Sequence, residues 1–90
     1  MEKLLIARRP LRDGITDVVN QIQVELLKEV PDSVEVEFLL QRLDRTGQSL
    51  EKLDQNILEV ILKKKDPQDE YSAEVLAIQE FENKAMRIRL

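Results

Sequence analysis

VEFLLQRLDRTGQSLEKLDQNILEV, residues 36–60, is the stretch whose spacing decides the fold. Apolar residues recur in it at steps of three and four: Val36, Leu39, Leu43, Leu50, Leu53, Ile57 and Val60, with Thr46 as the one polar member of the series. A heptad of this kind belongs to a helix that lays an apolar seam along another helix. Leu40 and Ile61 widen the seam enough for two neighbours. The alternation Val34-Glu35-Val36-Glu37-Phe38 is the only strand-like pattern, and it merges into the heptad.

The punctuation on either side sets the helix boundaries. Pro31 precedes Asp32, an N-cap residue, and Glu35 follows three positions on, as in a capping box. The central helix is predicted over about 33–65, ending on Lys63, Lys64 and Lys65, where cations suit the negative end of the helix dipole. Asp66-Pro67 restarts the chain into a third helix over about 67–88. Its stripe is Tyr71, Val75, Ile78, Phe81, Ala85 and Ile88, with Asp69 and Glu70 in the first turn and Lys84, Arg87 and Arg89 at the end. Upstream, Leu11, Ile15, Val18, Val19, Ile22, Leu26 and Val30 predict a first helix over about 10–29, with Pro10 in its first turn and Gly14 weakening it.

The expected fold is all-α: an antiparallel three-helix bundle, or helical hairpin, with a long central coiled-coil-like helix. Residues 10–90 form its single domain and residues 1–9 a basic N-terminal arm. A central helix about ten residues longer than its flanks leaves part of the seam uncovered. A second copy is the simplest cover, so a homodimer or domain-swapped pair is expected, or docking on another helical protein. The interaction seam is Val36, Leu39, Leu43, Leu50, Leu53, Ile57 and Val60.

Composition removes most chemistry. The chain has neither histidine nor cysteine, so disulfides, thiolates, imidazole bases and histidine-ligated metals are excluded. Glu51 and Asp54 lie within one turn, as carboxylate pairs do on any charged helix, and no nucleophile motif or glycine-rich loop accompanies them. Asp66, Asp69, Glu70, Glu74, Glu80 and Glu82 lack the spacing and glycine of a calcium loop and read as a solvated face. No enzyme, cofactor or metal site is expected. A net charge of −4 makes bulk attraction to nucleic acid weak, although Lys3, Arg8, Arg9 and Arg12 are candidate contacts for nucleic-acid or lipid phosphate. Absent a transmembrane segment or signal-peptide pattern, the expected location is intracellular, cytoplasmic or nuclear.

Two stretches carry a resemblance. Arg8-Arg9-Pro10-Leu11-Arg12-Asp13-Gly14-Ile15-Thr16, followed by Asn20, resembles the start of the N-terminal helical region of BEL/Pao-type retrotransposon Gag-like polyproteins. Leu50-Glu51-Lys52-Leu53-Asp54-Gln55-Asn56-Ile57 is similar to that group's Leu-x-x-Leu-x-x-x-Ile stretch, and Glu80-Phe81-Glu82-Asn83-Lys84 sits where an aromatic residue, usually Tyr, lies in a charged helix. Pro10 interrupts the basic run and Phe81 replaces the Tyr. The resemblance implies a self-association region at the front of a structural polyprotein, or of a host gene derived from one, and carries over packing positions only. The alternative function is a monomeric three-helix adaptor that binds a partner's amphipathic helix.

Overall fold

The computed structural model describes residues 1–86, with the side chains of residues 1–84. It contains α1 (Glu2–Leu26), α2 (Ser33–Leu62) and α3 (Gln68–Met86), and no strand among the described residues. Helix α2 is central: α1 packs along it, and α3 packs against it while touching α1 only slightly. The result is an elongated three-helix bundle of 55 × 21 × 15 Å. Of the expected third stripe, the side chain of Ala85 and all of Ile88 lie outside the described residues, as do Arg87 and Arg89.

Helix α1 corrects the expected arm. It begins at Glu2 rather than at Pro10, so residues 2–9 are helical and Pro10 is interior. Proline there has no N–H to donate to the Ile6 carbonyl and ordinarily costs a helix about 3 kcal/mol. Packing on both sides carries the helix across this break: the side chain of Arg8 is enclosed before it, and Leu11 and Ile15 join the core after it. Tertiary packing commonly dominates local helix preference in this way.

The other boundaries have local causes. Helix α1 stops at Leu26, short of the expected Glu29, and leaves Leu26 and Val30 of the predicted stripe exposed. The Asp32 carboxylate caps α2 by accepting from the Val34 and Glu35 N–H groups at 3.0 and 3.3 Å. The reciprocal half of the capping box comes from another helix: Glu25 Oε1, not Glu35, accepts the Asp32 N–H at 2.9 Å. Helix α2 ends at Leu62 rather than Lys65. Asp66 then adopts φ 56°, a left-handed conformation that Asp tolerates better than most residues, and the Pro67 carbonyl accepts the Tyr71 N–H to open α3.

The core comprises Ile15, Val18 and Ile22 of α1 against Leu39, Leu43 and Leu50 of α2, with Leu11, Val19 and Phe81 packed on it. Ile57 and Ile61 are buried farther along α2. Beyond Leu50 the strict heptad fails at Leu53 and Val60. There the buried residues are Asp54, Ile57 and Ile61, while Leu53 and Val60 are half-buried, as is Val36 at the start. The buried series 39, 43, 50, 54, 57 and 61, with half-buried Thr46 between, follows a period near 3.67 instead of 3.5. A straight helix drifts about 20° per heptad against a strict seven-residue repeat, so the face turned to the core moves from Leu53 and Val60 onto Asp54 and Ile61.

Candidate functional site: a buried ionic knot and two uncovered apolar ends

Arg8 and Arg12 stand one turn apart on the same side of α1. The period shift in α2 brings Asp54 to face them, 5% exposed, and α3 supplies Glu74. Arg8 Nη1 donates to Asp54 Oδ1 at 3.4 Å and to Glu74 Oε1, so a single guanidinium ties all three helices together. The guanidinium carbon of Arg12 lies 5.1 Å from the centre of the Phe81 ring, a cation–π placement. Its Nε and Nη2 are buried without hydrogen-bond partners.

The knot holds two cations and two carboxylates, which balance formally. Burial pushes the Asp54 carboxyl above its ordinary range, and the Arg8 guanidinium opposes that shift. Burial also lowers the Arg12 guanidinium, aided by repulsion from Arg8 and opposed by Asp54 and Glu74. A second charged contact lies at the α1–α2 turn. There Glu25, 6% exposed, accepts from Lys28 Nζ at 2.7 Å and from the Asp32 N–H. The Lys28 and Asp32 hydrogen bonds hold its carboxyl below the usual carboxylate range.

These positions redistribute the residues singled out in the sequence. Of the candidate phosphate contacts, Arg8 and Arg12 turn inward into the knot, and only Lys3 and Arg9 remain on the surface. Of the interaction seam, Leu39, Leu43, Leu50 and Ile57 are buried within the chain's own core, and Val36, Leu53 and Val60 are half-buried. The seam is therefore largely used inside one chain. Glu51 is exposed while Asp54 is buried and engages Arg8. In the acidic stretch Glu70 pairs with Lys64 and Glu74 with Arg8, and no group of carboxylates among the described residues converges to hold a metal. No helix among the described residues is long and apolar enough to cross a membrane.

What the spacing did not reveal is the apolar surface at the two ends. At the α1–α2 turn, Leu27 and Val30 are 85% exposed, Val34 73%, and Val24 and Phe38 more than half. At the opposite end Ile6 and Leu62 are exposed, and Leu5 less so. Between α2 and α3 lies a cleft of about 320 Å³, with Leu43, Leu50 and Phe81 in its lining and Asp44, Glu51 and Glu82 bringing negative charge to it. Comparison with protein-family models, curated proteins and solved structures finds no match to this chain.

Proposed function

We propose that this chain is a non-enzymatic helical self-association domain. The observation that carries the reading is the exposure of Leu27, Val30 and Val34 at one end of a small, charged bundle. Clustered apolar side chains on a soluble surface commonly mark an interaction site. A core this small also gains more from association than a large one does. The contact residues in this reading are the exposed ends, since most of the heptad is occupied within the chain. The resemblance of Arg8–Thr16 and Leu50–Ile57 to Gag-like polyproteins of BEL/Pao-type retrotransposons supports the same reading, because it too implies assembly. In this setting Arg8, Ile15, Leu50 and Ile57 maintain the bundle that presents the ends.

Sedimentation equilibrium over a wide concentration range is the test. Self-association gives a mass that rises with concentration, and Leu27→Asp with Val30→Asp holds it at that of one chain. A mass fixed at 10.5 kDa at every concentration contradicts the reading.

The cleft favours a second reading, a monomeric adaptor. Its apolar lining and its carboxylates suit a partner helix with an apolar stripe and basic flanks. In that case the single-chain mass persists, and Phe81→Ala weakens partner binding where Leu27→Asp does not.

A further inference from the structure

We propose that copies of this chain associate head to tail, the hairpin tip of one docking on the lysine-bearing opposite end of the next. The proposal rests on the self-association reading and fixes its geometry.

The two ends are defined by the antiparallel packing of α1 and α2. Arg8 meets Asp54, and Gly14 lies beside Thr46. Residues 1–9 thus share one end with the α2–α3 turn, and the α1–α2 turn forms the other. The ends differ in charge. Residues 20–40 carry five carboxylates against the single cation Lys28, a net −4. That equals the formal charge of the whole chain, so the remaining residues balance. The opposite end gathers Lys3, Arg9, Lys63, Lys64 and Lys65; with Arg8 taken up in the knot, residues 1–9 and 59–70 sum to zero, so this end lacks the tip's excess of negative charge. Among the described residues only Lys64 of these five cations is held in an ion pair, with Glu70.

Each end also offers uncovered apolar side chains, Leu27, Val30 and Val34 at the tip and Ile6 and Leu62 at the other. Apolar contact alone does not choose between tip-to-tip and tip-to-end docking; charge does. A two-fold contact centred on the tip would bring two net −4 tips together and leave the lysine end uncovered. A tip-to-end contact sets the tip's carboxylates against the surface cations of the other end and covers both apolar patches. Salt screens charges beyond roughly 8 Å at physiological ionic strength, so the charges select the partner surface and the apolar residues supply most of the affinity. Such a contact is heterologous and does not close on itself by two-fold symmetry, so it yields open chains or rings of copies along the 55 Å axis.

The test uses the full chain and two charge-reversed variants at exposed positions. Glu29→Lys with Glu37→Lys blocks the tip, and Lys3→Glu with Lys65→Glu blocks the opposite end. Circular dichroism checks that both stay helical. Wild type is expected to grow in mass with concentration, and each variant alone to associate at least about tenfold more weakly. A one-to-one mixture should recover association, because the intact end of one variant fits the intact tip of the other and the two reversed surfaces also carry complementary charge. If wild type associates but the mixture stays at single-chain mass, or if either variant associates as wild type does, the head-to-tail geometry is overturned and self-association stands. If wild type itself stays at single-chain mass, both readings fall.

Discussion

One half of the molecule is a three-helix body and the other a two-helix hairpin, and they are held by different means. Helix α3, at 19 residues, spans about 28 Å against about 45 Å for the 30 residues of α2. In the three-helix half Ile57 and Ile61 are fully enclosed, and Arg8, Asp54 and Glu74 join α1, α2 and α3 through one buried network. In the hairpin half Ile22 and Leu39 are buried just as fully, while Leu27, Val30 and Val34 at the turn stay in solvent. Buried ion pairs add little net stability over well-packed apolar groups, but leaving one partner alone is costly. The knot is thus best understood as fixing which faces of three helices meet, while the hairpin is kept by apolar packing and caps and leaves its apolar surplus outward.

The comparison can be broken first at its two apolar centres. Ile57→Ala is expected to cost about 4 kcal/mol and Ile22→Ala about 3, because the two-helix region collapses more readily around a lost side chain. Urea denaturation measures both, and equal or reversed costs contradict the more yielding packing of the two-helix half. Arg8→Ala should cost about 3 kcal/mol by stranding Asp54 and Glu74 in partly apolar surroundings. Arg12→Met, by contrast, removes a cation with two unpaired nitrogens and should be nearly neutral. On the hairpin side, Asp32→Ala removes the α2 cap and should cost about 1 kcal/mol.

Smaller changes sharpen the picture. A methyl at Gly14 meets only Thr46 Cγ2, at 3.9 Å, and one at Gly47 meets nothing within 4 Å. Each glycine-to-alanine change should therefore stabilise the bundle by roughly 0.5–1 kcal/mol, seen as a raised Tm. Acid acts on the halves with opposite sign. The lowered Glu25 carboxyl contributes stability above its unfolded value of 4.5, lost as pH falls through its folded value. The raised Asp54 carboxyl contributes below its unfolded value of 3.8, and that contribution is lost as pH rises through its folded value. Urea midpoints across this range should show Glu25→Gln flattening the loss of stability on acidification and Asp54→Asn flattening the loss as pH rises.

The helical class, the three elements and most of the core were legible because apolar period and proline punctuation are local signals. Leu39, Leu43, Leu50 and Ile57 needed nothing but spacing. The knot was not legible, for two reasons. Pro10 reads as a helix start, which detached Arg8 from the domain, and the strict heptad placed Leu53 and Val60, not Asp54 and Ile61, on the inner face. An 11-residue reading of 39, 43, 46, 50, 54, 57 and 61 would have set Asp54 among buried apolar positions and pointed to a buried cation opposite it. The uncovered tip depends on where α3 lies relative to the hairpin, a tertiary fact that spacing within each helix does not carry.

Residue-resolved amide hydrogen exchange of the wild-type chain at low and high protein concentration tests the account most directly. Protection should rise with concentration at residues 24–38 and at residues 3–6 and 62–65, while the amides around Ile15, Leu50 and Asp54 stay unchanged. Exchange at both ends that is indifferent to concentration, or protection that rises instead along the cleft residues Gly47, Gln48 and Glu51, would contradict it.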